Sequence, residues 1–394
     1  MSPVFEDTAW AWVEHLRHGG STPWTAFTAA DPAGEHGEAL PGAAELELVR
    51  RLAARTQHTP GVAHFDVLAD LVLARSGPGR GLPHLPLSWP DRPAPAFGAR
   101  PVDPERVPAE ELVRVGVGTL AALLLADPVV PSAPEPPRFR KLRTPRFHVA
   151  GAPLTRAAVR QAFEAAGHVE SHRKPEVVLL LRPFDVHLAE VWSARVQAGA
   201  PVQWPVFTAR SSRRDRLPPS LRLDEIAALW AAKVGAGRVH LVVGDADTAR
   251  RATEQVTGLQ AAPVAPGYPF AALGPAGTDV LRRLNRVLDV RLAAEHQDTV
   301  RARAVALLGT AAAPVAVPQA QRGWARTEAE RLVFALRAGG YPVVGDLDEV
   351  APRHTSPDVP VAPRRREVLD LVLDACLDLH AQRAGSTGAV QEQV

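Results

Sequence analysis

Two short stretches carry residue types that ligate metals, Asp185-Val-His187 and Asp245-Ala-Asp247. A zinc-type site takes three or four protein ligands, and neither stretch supplies a third at an established spacing, so no metal site is expected. Asp245 reads instead as the N-cap of a helix, its carboxylate accepting from a first-turn amide. Gly77-Pro78-Gly79-Arg80-Gly81 could cradle a phosphate on backbone amides beside Arg80, but its place before a proline-rich stretch reads as a turn. Gly116-Val-Gly118-Thr-Leu-Ala121 has the spacing of a dinucleotide loop. It lies inside a helical pattern and follows no strand, which removes that reading. Cys376, the single cysteine, sits among Leu369, Leu371, Val372 and Leu377 and reads as a small core residue. One cysteine excludes an intrachain disulfide.

The remaining chemistry is arginine. Residues 127–137 hold five prolines, and then comes the run Arg138, Arg140, Lys141, Arg143, followed by Arg146, with Phe139 interleaved. Arg210, Arg213, Arg214 and Arg216 form a second cluster around Ser211-Ser212. If both clusters line one mouth of a sheet, they bind an anion, with Arg140, Arg213 and Arg214 as candidate ligands and Trp192 and Trp204 flanking it. The first run could also dock nucleic acid or an acidic protein segment. Lysine occurs only at 141, 174 and 233 in a chain of net charge +2, so the arginine excess is mainly compositional.

The elements that must position these residues fall into segments. Residues 1–126 show helical periodicity over 6–17, 44–57, 64–74 and 108–126 and read as an all-helical N-terminal domain, whose Trp10, Trp12 and Trp24 serve as core or as an interface. Residues 127–145 read as a linker, because the prolines fix φ and remove donors. From 146 onward, apolar strands at 147–149, 177–182 and 239–243 alternate with helices at 155–166, 186–198 and 223–234, then 278–293, 297–308 and 327–339. Unbroken apolar strands separated by helices indicate an α/β fold, a parallel sheet flanked by helices. A loop and helix follow over 353–384, the helix at 366–380, and 385–394 read as a disordered tail. The N-terminus lacks the basic and apolar regions of a signal peptide. The longest apolar run, 115–126, is far short of the roughly 20 residues a membrane span needs. A cytoplasmic location without a membrane span is expected.

The strand 177–181, then Arg182, then Trp192 ten residues later resembles a signature of bacterial sulfotransferase-like proteins, in which a strand ending in Arg-Asp enters a helix bearing Trp. Residues 238–243 resemble that family's next core strand, and Leu281-Arg-Arg-Leu-Asn285 a recurring helix start. Residues 324–352 are similar to its C-terminal helix and Gly-Tyr-x-Val-x-Gly-Asp-Leu-Asp turn. The resemblance spans about 146–352. It implies a P-loop-type sulfotransferase fold, and it also implies what is missing. The family holds the 5′-phosphosulfate with Pro-Lys-Thr-Gly-Thr-Thr after the first strand, whereas this chain has Pro153-Leu154-Thr155-Arg156-Ala157-Ala158. Of the 3′-phosphate pair Arg182 remains, its Asp neighbour is Pro183, and the serine position is Glu190, whose carboxylate would repel a phosphate. The segment that carries the family's catalytic base is cut to about 167–175, with His168 and His172 as loop histidines.

Thr155 and Arg182 are thus the expected remnants of a cofactor site, with no catalytic residue and no cofactor expected, 3′-phosphoadenosine 5′-phosphosulfate included. The leading expectation is a non-catalytic binding or interaction component with a protein partner, linked to surface-glycan biosynthesis. The alternatives are a diverged transferase holding another anionic donor on Arg182 and the arginines from 210 to 216, and a nucleic-acid-binding protein resting on the basic runs.

Overall fold

The computed structural model describes residues 3–27, 40–57, 64–74, 85–88, 99–126, 146–213, 217–262, 273–309, 315–353 and 358–391, with side chains from residue 6 to residue 385. The chain divides into two compact units, Met1–Val129 with Arg365–Val394, and Val130–Arg364. The expected linker 127–145, the glycine-rich turn 77–81, and Arg140 and Arg214 lie outside the described residues.

The first unit is helical and draws on both ends of the chain. α1 (Pro3–Arg17) and α2 (Ala43–Thr56) bury Trp12, Val13, Leu16 and Leu46, Leu48, Leu52. α3 (Phe65–Leu73) buries Leu68 and Val72. α4 (Ala109–Ala126) opens on Glu110 and Glu111, as the helix dipole favours, and is apolar around most of its circumference. A helix of that kind must be covered on several sides. The C-terminal helix α13 (Arg365–Gln391) supplies one of them. A β-carbon at Gly116 would stand 2.6 Å from Val372 Cγ1, so the glycine lets α13 approach α4 closely. The dinucleotide-like spacing in α4 is therefore helix packing. α13 continues past His380 to Gln391, through residues read from sequence as a disordered tail. Trp12 packs against Trp24 in a tilted pair with ring centroids 5.1 Å apart, their indole N–H groups donate to Thr22 O and Ser88 O, and both are buried core residues.

The second unit is α/β. β1 (Phe147–Gly151), β2 (Glu176–Leu181), β3 (Val239–Val243) and β4 (Val343–Val344) form a parallel sheet in the order β1-β2-β3-β4. Between them run α5 (Pro153–Ala165), then α6 (Phe184–Gln197), α7 (Trp204–Ser212) and α8 (Leu223–Val234), and then α9 (Ala246–Thr257), α10 (Pro275–Arg291), α11 (Ala294–Leu308) and α12 (Gln319–Ala338). Val177, Leu179 and Leu181 face a cluster with Ala227 and Trp230 of α8 and Leu332 and Leu336 of α12. Val178 and Leu180 face the opposite way, onto Val159 and Phe163 of α5 and Ala249 and Ala252 of α9. Both faces are covered, which is why the central strand β2 is apolar at every position from Val177 to Leu181 rather than at alternate ones. Among the described residues the chain has four strands and thirteen α-helices, and no helix is long and apolar enough to cross a membrane.

Several expectations shift. Leu281–Asn285 is not a helix start: α10 begins at Pro275, and Arg282 and Arg283 lie mid-helix, held by Asp279 at 2.6 and 2.7 Å. Asn285 Nδ2 donates to Val196 O at the end of α6, so this motif ties two helices together. Trp192 and Trp204, expected beside an anion, are each 1% exposed and donate to Val202 O and Ala316 O. They are core and offer no face to a ligand.

Candidate functional site

In an open parallel sheet, ligands gather outside the carboxyl ends of the strands, because strand-to-helix turns converge there with helix N-termini pointing outward. Three such turns meet at this edge. β1 ends on Gly151 at φ +101°, and Ala152 then caps α5 with Pro153 at its first position, where a missing N–H costs nothing. β2 runs straight into Arg182, and Pro183 is the N-cap of α6. β3 is followed by Gly244, and Asp245 caps α9 by accepting from Thr248 N at 2.9 Å. That bond holds the Asp245 carboxyl below the usual range.

Glu190, two turns into α6, lies over the amino end of α5. One carboxylate oxygen accepts from Leu154 N at 3.2 Å and Thr155 N at 3.1 Å, and the other from Thr155 Oγ1 at 2.8 Å. Arg182 Nε stands 3.4 Å from the same carboxylate, and Arg182 Nη1 donates to Gly244 O at 3.1 Å. Thr155 is 6% exposed. The two amides, the hydroxyl, the positive end of the helix dipole and the guanidinium are the donor set of an anion cradle. Here a carboxylate of the chain itself fills it.

The sequence-derived site residues separate accordingly. Thr155 and Arg182 come together through Glu190, the residue read from sequence as a repeller of phosphate. Arg213 is exposed at the C-terminal end of α7, as is Arg210 near it. Asp185 is 1% exposed and accepts from Arg353 N at 3.1 Å. His187 is buried, bonded at 2.9 Å to Ser220 O, and burial pushes its imidazole below the ordinary value. Both are structural. His168 bonds Gln260 O at 3.1 Å. Cys376 is buried against Gly116 O, and burial pushes its thiol up to about 12, which leaves it protonated and unreactive. Among the described residues no group of three or more His, Cys, Asp or Glu side chains is placed to hold a metal ion.

One cluster escaped the sequence reading. His148 of β1 packs against Trp230 in a tilted pair with ring centroids 4.5 Å apart, while His172 lies near-parallel to Trp230 at 6.1 Å and Lys233 stands 5.0 Å over the same ring. Glu170 accepts from Val149 N at 2.7 Å and approaches His148 Nδ1 at 3.6 Å. Burial, reinforced by repulsion from His172, Arg156 and Lys233, pushes the His148 imidazole down to about 4. Burial pushes the Glu170 carboxyl up. The partners are up to 85 positions apart, counting from 148 to 233, so no local spacing marks them.

No family model, curated protein or solved structure matches this chain.

Proposed function

We propose that this chain is a non-catalytic, sulfotransferase-like protein that serves as a binding or interaction component, working beside active enzymes of surface-glycan biosynthesis. The observation that supports this reading is Glu190. A sulfuryl donor needs the amino end of α5 free and a cation to offset its charge. In this chain the amides of Leu154 and Thr155 and the Thr155 hydroxyl are already bonded to a carboxylate, and Arg182 is held beside it. A phosphosulfate entering there would meet a negative charge at hydrogen-bond distance from its own donors. Leu154 and Arg156, where the resembled loop has lysine and glycine, remove the neutralising ammonium and the tight turn that chemistry uses. Arg182 also has less to offer the diverged-transferase alternative, since its guanidinium is engaged by Glu190 and Gly244.

The test is thermal denaturation of the wild-type chain and of Glu190→Ala. Millimolar 3′-phosphoadenosine 5′-phosphate is expected to leave the wild-type transition unmoved. Glu190→Ala is expected to lose about 2 kcal/mol, because two amides and a hydroxyl lose their acceptor and a guanidinium its ion-pair partner. Sulfate is expected to restore part of that loss in the variant beyond its general effect on the wild type, since it can take the carboxylate's place. Stabilisation of the wild type by the nucleotide, or a sulfated acceptor formed from 3′-phosphoadenosine 5′-phosphosulfate, would overturn the proposal.

A further inference from the structure

A concavity distinct from the cradle is bounded by α5, α6 and α11, with a volume of about 500 Å³. That is within the roughly 300–1,000 Å³ of small-molecule sites. Its walls are made by Leu154, Ala157, Ala194, Ala302 and Val305, where small side chains on three helices leave the space open. Its charges are unequal: Arg156, Arg160 and Arg301 line it against the single carboxylate of Asp298. Arg156 is exposed and Arg160, one turn further along α5, is half-buried.

Arg301 carries the argument furthest. Its side chain is only 9% exposed, while the Asp298 carboxylate that it meets is 87% exposed. Arg301 Nη1 donates to Gln297 Oε1 at 3.0 Å and Nη2 to Asp298 Oδ1. Its Nε is buried and makes no hydrogen bond, and neither does the buried Nε of Arg160, which stands 3.4 Å from Glu164. A buried guanidinium with an unused donor, partnered by a carboxylate that lies largely in water, is incompletely compensated. A second anion held among the lining arginines would add to that compensation through the charge of the guanidinium. Arg is the side chain best shaped to receive a planar carboxylate or a phosphate.

We propose that the cavity between α5, α6 and α11 binds a small amphiphilic anion, a carboxylate or phosphate head on a short aliphatic body. The head meets Arg156, Arg160 and Arg301, and the body lies against Leu154, Val305 and the alanines. Glu190 is not one of its lining residues, so the site stands whether or not the cradle at the start of α5 is closed to sulfuryl donors.

Calorimetric titration of the full chain with octyl phosphate, octanoate, octanol and octyltrimethylammonium, each below its micellar concentration, tests this. Both anions are expected to bind, with octanol and the ammonium at least tenfold weaker. The stronger of the two anions names the head group, and either order supports the site. The double variant Arg156→Gln/Arg160→Gln changes exposed and half-exposed residues and is expected to fold normally while losing at least tenfold in affinity for the anions. Ala302→Phe, which fills the cavity from α11, is expected to abolish binding of both while the unliganded melting transition stays in place. Octanol binding as tightly as octyl phosphate, anion binding unaltered in the double variant, or no binding of either anion at millimolar concentration would each overturn the proposal.

Discussion

Replacing Gly151 by alanine is expected to destabilise the sheet-containing unit by about 3–5 kcal/mol, more than any surface change in the chain. Gly151 ends β1 at φ +101°, a region that L side chains rarely enter. It pairs in register with Leu180 of β2, and a β-carbon there would overlap the Leu180 carbonyl oxygen and stand 2.8 Å from the Leu180 amide nitrogen. These are backbone atoms of a paired strand and cannot swing aside. Relief requires β1 and β2 to part at the point where Ala152 N bonds Leu180 O, immediately before α5 and its Glu190 contact. Gly167 is the matched control. Its φ is +85°, yet nothing lies within 4 Å of its added β-carbon, so Gly167→Ala carries only the conformational cost, about 1–2 kcal/mol. For a unit of this size the Gly151 variant should melt roughly 6–20 °C below wild type. Equal melting temperatures for the two variants would refute the close approach of β1 to β2.

Acid is expected to weaken the same unit through His148. In the folded chain its imidazole titrates at about 4, against 6.5 ordinarily, first because it is buried and then because His172, Arg156 and Lys233 oppose a further positive charge. Above pH 6.5 the ring is neutral in both states and the stability is fully present. Between pH 6.5 and 4 only the unfolded chain takes the proton, so stability falls as pH falls, by about 3 kcal/mol in all; below pH 4 both states are protonated and the loss stops. Glu170, raised by its burial, takes up a proton earlier in the folded state and offsets part of this. Urea denaturation of wild type and His148→Phe at pH 7.5, 5.5 and 4 isolates the histidine. The wild type should lose about 3 kcal/mol relative to the variant across that range. Parallel pH profiles would mean that His148 is solvated and titrates normally.

The strands were legible because a sheet covered on both faces demands predominantly apolar runs, and those at 147–149, 177–182 and 239–243 fall on β1, β2 and β3, with Arg182 just past the end of β2. β4 was read as part of a turn, since Val343–Val344 is two residues long and too short to show a period. Two helices escaped for different reasons. α7 presents itself as a serine and arginine cluster, with its core contacts left to Trp204 and Phe207. α9 buries Ala249, Ala252, Thr253 and Thr257, residues too small or polar to stand out as an apolar stripe, and only its cap at Asp245 was visible. The cradle was half legible. Its residue types at 155, 182 and 190 were all noted, but Glu190 was expected to repel an anion rather than replace one.

By itself the sequence determined the element types, the apolar faces, the covered parallel sheet and the absence of lysine and glycine from the loop after β1. These follow from local spacing, since each side chain's partition between water and core is decided within a turn or two of its own backbone. The tertiary structure alone decided which helix covers which face, and so joined α13 to α4 across more than 230 residues through Gly116 and Val372. It also brought the Glu190 carboxylate onto amides 35 and 36 positions earlier in the chain. Hydrogen bonds between such distant residues are chosen by the packing of whole elements. Whether a carboxylate closes a helix end or stands in solvent therefore depends on where α6 comes to rest against α5, and no local pattern records that.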